Sequence, residues 1–121
     1  MGKKIMTVDD SASIRMMVKF TLKDAGYDVF EAENGVEALE KLDGSQIQMV
    51  IVDVNMPKMD GIELVRRLRS DPNYRYIPII ILTTESQELK KQEGRDAGAT
   101  GWIVKPFKPQ QLLDVVRKVL G

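Results

Sequence analysis

Four short apolar runs in this chain end in residues able to do chemistry. Ile5-Met6-Thr7-Val8 leads into Asp9-Asp10-Ser11, and Met49-Val50-Ile51-Val52 leads into Asp53. Ile77 to Leu82 leads into Thr83-Thr84, and Trp102-Ile103-Val104 into Lys105-Pro106. Three carboxylates, a hydroxyl and an ammonium are the makings of an oxygen-lined metal site or of a carboxylate nucleophile beside a cation. Carboxylates gathered at one place repel one another unless a cation sits among them. The hard ion Mg²⁺ is the best candidate, since it prefers oxygen ligands at ~2.0–2.1 Å and keeps several waters. Each group also has a local role open to it. Asp10 or Ser11 can cap a following helix, Asp53 can serve a turn, Thr83 can be satisfied locally, and Lys105 can be a solvated surface lysine.

Two absences narrow the chemistry further. Without Cys there is no thiolate nucleophile, disulfide framework or Cys-ligated zinc. Without His there is no imidazole base, Ser-His pair or His-bound metal. Carboxylates, hydroxyls, lysines and a hard cation remain.

The elements that must position these groups show in the periodicity. Ile14, Met17, Val18, Thr21, Leu22 and Ala25 form the stripe of an amphipathic helix over 12–25, closed by Gly26. Tyr27 to Glu31 predicts a second strand, and Gly35 to Leu42 a second helix. The run 49–52 is apolar throughout, as in a strand buried on both faces. Gly61 to Arg69 predicts a third helix, Ile77 to Leu82 a fourth strand, 102–104 a fifth, and 109–120 a last helix with Pro109 in its first turn. Gln87 to Asp96 is nearly all polar, with Leu89 its only large apolar residue, and predicts a helix lightly pinned to the core and easily moved. Lys90, Lys91 and the Arg66-Arg67-Arg69 cluster need no role beyond solvation. Five strand–helix alternations imply an α/β fold, a parallel sheet covered by helices on both faces. Function in such sheets gathers outside the carboxyl ends of the strands, where the four clusters lie.

The 121 residues suit one domain, and 1–121 is expected to be a single unit without an output domain. The 18 basic and 18 acidic residues balance, which speaks against nucleic acid or an anionic membrane surface as an obligatory partner. No apolar run approaches the ~20 residues of a membrane span, and no secretory h-region follows Met1. A cytoplasmic location is expected.

The ordered set Asp9-Asp10, Asp53, Thr83 and Lys105-Pro106 resembles the receiver domain of bacterial two-component response regulators, over the whole chain. The stretch Asp53-Val54-Asn55-Met56-Pro57-Lys58-Met59-Asp60-Gly61 is most similar to the stand-alone chemotaxis members of that family. The resemblance implies a flavodoxin-like, doubly wound (βα)5 sheet of order 2-1-3-4-5. It implies that Asp53 is the phosphoryl acceptor and that a histidine kinase is the donor. It further implies Mg²⁺ on Asp10, Asp53 and the backbone carbonyl of Asn55, with Asp9 acting through a bound water. By the same resemblance, Lys105 is expected to pair with Asp53 at rest and with a phosphoryl oxygen afterwards, and the bond before Pro106 to be cis. Asn55 and Glu85 are expected to tune the signal, their types matching a short-lived phosphoryl group. Thr83 and Trp102 are expected to carry the switch, although Trp stands where the family more often has Tyr or Phe. The resemblance further implies an output face of the fourth helix, fifth strand and last helix, aimed at a protein target such as a flagellar switch protein, with the chain a monomer.

Three other readings stay open at this point. One is a phosphorelay intermediate or phosphate sink. A second is a metal-dependent phosphatase with an Asp nucleophile, similar to haloacid dehalogenases; those carry a second Asp where this chain has Asn55. The third is a flavin or nucleotide binder, for which no glycine-rich phosphate loop is present.

Overall fold

The computed structural model describes residues 3–42, 46–56, 58–84 and 88–120, with the backbone only for 88–90. The elements run β1 (Lys4–Val8), α1 (Ala12–Asp24), β2 (Asp28–Ala32), α2 (Gly35–Leu42), β3 (Met49–Asp53), α3 (Gly61–Arg69), β4 (Ile79–Thr84), α4 (Glu88–Ala97), β5 (Gly101–Lys105) and α5 (Pro109–Leu120). The strands form one parallel sheet in the order β2-β1-β3-β4-β5. No helix among the described residues is long and apolar enough to cross a membrane.

Side chains alternate across the sheet and build two cores. Ile5, Met49, Ile51, Ile80, Leu82 and Ile103 meet Val18 and Leu22 of α1 and Leu112 and Val116 of α5. Met6, Val8, Val50, Val52, Ile79 and Ile81 meet Ala38 and Leu42 of α2 and Ile62, Leu64, Val65 and Leu68 of α3. All five residues of β3 are buried, as its unbroken apolar run requires. Each large aliphatic side chain withdrawn from water there is worth about 1.5–3 kcal/mol. Ser11 caps α1 by accepting from the Ile14 N–H at 3.3 Å, and Gly26 leaves that helix at φ 99°.

Two sequence expectations need correction. The fourth strand lies two residues later than expected, at Ile79–Thr84 rather than 77–82. Pro78 has no N–H to give a ladder, and the β-branched Thr83 and Thr84 extend the strand opposite Val104 and Lys105. Arg69 is not a solvated residue like its exposed neighbours Arg66 and Arg67. Its guanidinium donates to the carbonyls of Gly98 at 2.8 Å, Tyr74 at 3.3 Å, Arg75 at 2.9 Å and Ile77 at 2.7 Å, and to Thr100 Oγ1 at 3.4 Å. One contact of α4 does not show in its apolar pattern. Gly94 is buried, and a Cβ there would stand 2.4 Å from Ile81 Cδ1. Its missing side chain leaves room for the Ile81 and Ile62 side chains against the helix. The remaining differences are one-residue shifts at element ends; Gln87, the expected start of α4, falls outside the described residues, as do the side chains of Leu89 and Lys90.

Candidate phosphoacceptor site

The chain crosses from one half of the sheet to the other between β1 and β3, so their carboxyl ends open a crevice. Asp9 leaves β1 fully buried. Its N–H donates to the Ala32 carbonyl at 3.1 Å, and its Oδ1 accepts from the Ser11 N–H at 2.9 Å. Asp10, next in the turn, is exposed. Asp53 ends β3 with only 6% of its surface exposed. The segment beyond it folds back tightly. Gly61 donates its N–H to the Val54 carbonyl at 3.0 Å, and a Cβ on Gly61 would lie 2.2 Å from the Asp53 carbonyl oxygen. Only glycine allows α3 to start so close to the end of β3. Asp60 then caps α3, accepting from the Glu63 N–H at 2.9 Å.

Carboxylate oxygens of Asp9, Asp10 and Asp53 all lie within 4.8 Å of one another. Lys105 Nζ, from the end of β5, donates to Asp53 Oδ1 at 2.7 Å and reaches Asp9 Oδ2 at 3.5 Å. Burial pushes the Asp53 carboxyl above its ordinary pKa; the Lys105 hydrogen bond opposes this, and the charges of Asp9 and Asp10 reinforce it. Asp9 is raised for the same leading reason, against its Ser11 hydrogen bond and the Lys105 charge. For Lys105, burial works against the ammonium, but Asp53 and Asp9 outweigh it and hold the pKa above the usual lysine value. Three carboxylates facing one ammonium leave two negative charges uncompensated, the charge of one divalent cation. The donor set is all oxygen, so a hard cation fits it.

Thr83 approaches from the other side of the sheet. It shares a face with Ile79 and Ile81, and it is one residue beyond Leu82, the partner of Asp53. Its hydroxyl is buried and has no hydrogen-bond partner among the described residues, so it is not the locally satisfied strand-end group the sequence allowed. A buried orphan donor costs free energy until something accepts from it. Trp102 lies on the same face, half-buried against the α2–α3 core. Two α4 cations cover its ring, Arg95 Cζ at 5.0 Å and Lys91 Nζ at 5.9 Å from the centroid. Lys91 is therefore not simply solvated. Asn55 is exposed two residues past Asp53, the Lys105–Pro106 bond is cis, and Glu85 lies outside the described residues.

A family model for the response regulator receiver domain matches residues 5–117. The chain belongs to that family. Over 120 residues this receiver is 47% identical to the chemotaxis protein CheY1 of Helicobacter pylori, covering 98% of this chain and 97% of that protein. It is 42% identical to the CheY homolog of Campylobacter jejuni, covering 98% of this chain and 92% of that one. The solved structure of the chemotaxis response regulator CheY4 of Vibrio cholerae superposes with a TM-score of 0.94 at 50% identity, covering 99% of this receiver and all of that chain.

Two features escaped sequence reasoning. The buried, unpartnered state of Thr83 depends on what surrounds β4, which no local pattern encodes. Arg15 also passed without notice, although it sits one helical turn beyond the Ser11 cap. Its involvement required the α1 flank to lie against β2.

Proposed function

We propose that this chain is a stand-alone, cytoplasmic response regulator that takes a phosphoryl group from a histidine kinase onto Asp53 and passes the signal to a protein partner, in chemotaxis or flagellar motor control. Full-length likeness to CheY proteins supports the chemotaxis assignment. The observation that carries the chemistry is a buried Asp53 held by Lys105 at 2.7 Å within a cluster of three carboxylates.

Lys105 occupies one Asp53 oxygen and fixes the carboxylate, leaving the second oxygen for attack. That oxygen forms the new P–O bond as the P–N bond to the donor imidazole breaks. The bonding pair stays on the imidazole nitrogen, which takes up a proton. Asp9, Asp10 and Asp53, with the Asn55 carbonyl, would hold Mg²⁺, which supplies positive charge that offsets repulsion between carboxylate and phosphoryl group.

Once modified, Asp53 carries roughly two negative charges and new acceptor oxygens. The orphan Thr83 hydroxyl gains an acceptor, and Lys105 moves from carboxylate to phosphoryl oxygen. One such charged hydrogen bond nets about 1.5–3 kcal/mol, whereas moving a 1:99 equilibrium to 99:1 takes ~5.5 kcal/mol. Binding of the partner at the α4-β5-α5 face supplies the rest. Asn55 and Glu85 set the access of water to the acyl phosphate, and the signal is brief.

Intact-mass measurement after incubation with acetyl phosphate and Mg²⁺ tests this reading. The native chain gains one phosphoryl group, and Asp53→Asn gains none. No gain in the native chain, or an equal gain in the variant, overturns it.

A further inference from the structure

Arg15 belongs to the flank of α1 that faces β2, between the buried stripe of Val18 and Leu22 and the exposed Met16 and Phe20. Its side chain is only 12% exposed. Nη1 donates to the backbone carbonyl of Asp9 at 2.6 Å, a short, charge-assisted bond. Nε donates to Glu31 Oε1 at 3.2 Å, and Nη2 lies 3.8 Å from Glu33 Oε1. Glu31 is itself held further, its other oxygen by Lys19 Nζ of the same helix at 3.2 Å and its carbonyl by Lys41 Nζ of α2 at 2.7 Å. The rigid fork of a guanidinium can hold a carbonyl and a carboxylate together; an ammonium cannot hold both in fixed directions.

The carbonyl it holds lies between the two carboxylates of the β1–α1 turn. Asp9 has its own anchors, but the Asp10 carboxylate has no hydrogen bond among the described residues. The place of Asp10 at the rim therefore rests on its backbone, and that backbone is braced by Arg15 against β2. The Arg15 charge is answered locally by Glu31 and Glu33, so its effect on the rim is one of position.

We propose that Arg15 is a positioning residue for the divalent-cation site, tying the turn that carries Asp9 and Asp10 to Glu31 of β2. This rests on the reading of the rim as a Mg²⁺ site. Partners that orient metal ligands typically change affinity 10–100-fold when removed. The sign of the effect separates the proposal from simple electrostatics. Removing a nearby cation should strengthen cation binding if charge alone mattered, and weaken it if Arg15 holds the ligands.

Calorimetric titration of the metal-free full chain with Mg²⁺, repeated with Ca²⁺, tests this. Arg15→Ala is expected to bind Mg²⁺ about tenfold more weakly, with a smaller loss for Ca²⁺, whose coordination is less demanding. Arg15→Lys, which keeps the charge, should fall between Arg15→Ala and the native chain. Phe20→Ser, on the exposed face of the same helix, should bind as the native chain does. Arg15→Ala binding Mg²⁺ as tightly as the native chain, or more tightly, overturns the proposal. If Arg15→Ala does not fold, Arg15→Lys decides, and native affinity there overturns it. A native chain that takes up no Mg²⁺ refutes the metal site itself, a separate and visible failure.

Discussion

The two ends of the sheet treat a partly buried cation in opposite ways. At the amino end, Arg69 meets only neutral acceptors among the described residues, four carbonyls and a threonine hydroxyl, which tie the end of α3 to the loops before β4 and β5. At the carboxyl end, Lys105 faces two carboxylates at 2.7 and 3.5 Å, while a third carboxylate stands beside them and a buried hydroxyl goes without a partner. The first cation has an acceptor at every nitrogen, so any displacement loses bonds. The second sits in a field with excess negative charge and an unused donor, so a new anion or cation can find partners there. Structural cations are recognised by how completely they are satisfied, and functional ones by what their surroundings still lack.

Substitution of Arg69 is the strongest test of that contrast. Arg69→Ala leaves several carbonyls without their donor and should lower stability by about 3 kcal/mol. The same variant should take up Mg²⁺ and react with acetyl phosphate as the native chain does. A change in either reaction would mean that the amino end is not merely structural.

Lys105→Met should cost less, about 2 kcal/mol at neutral pH, and its cost should depend on pH. Burial raises Asp9 and Asp53 above the ordinary value of 3.8, so the native state holds more protons than the unfolded chain in the window just above it. Their contribution to stability is complete below 3.8 and fades as pH rises through the folded-state values. Urea unfolding of the metal-free native chain should therefore show stability falling from that window toward neutrality. Lys105→Met should fall further, and saturating Mg²⁺ should reverse the decline in the native chain. A flat profile in the metal-free protein would break the account of the rim.

The smallest effect is expected at Thr83. Replacing a buried hydroxyl that lacks a partner with a methyl group of the same shape removes an unmet cost. Thr83→Val should leave stability unchanged or raise it by about 1 kcal/mol. The change in Trp102 fluorescence on adding acetyl phosphate and Mg²⁺ should disappear in the same variant. A clear loss of stability would show that the hydroxyl has a partner after all and would blur the difference between the two ends.

Much of this was legible beforehand because strand-ends in a parallel sheet converge by topology. Asp9, Asp10, Asp53 and Lys105 each follow an apolar run, so recognising the runs was enough to bring them together. The limits of β4 were misplaced because Ile77 and Pro78 look as apolar as a strand, although proline cannot donate to the ladder. The close contact of α4 at Gly94 is illegible for a related reason. Helical period counts large apolar residues, whereas α4 approaches β4 through the side chain that Gly94 lacks. Arg15 and Arg69 were indistinguishable in sequence from solvated arginines, since their acceptors are brought near by packing from other elements.

The alternation of strands and helices, the buried middle strand, and the order of acidic, hydroxyl and basic groups along one rim are already written in the chain. These follow from local period and from the restricted topology of parallel sheets. Which groups are satisfied is settled by packing: among the described residues Arg69 has its acceptors, Thr83 has none, and Arg15 bonds the acidic turn. Satisfaction is a property of distances between residues far apart in the chain, and those distances exist only once the layers have packed.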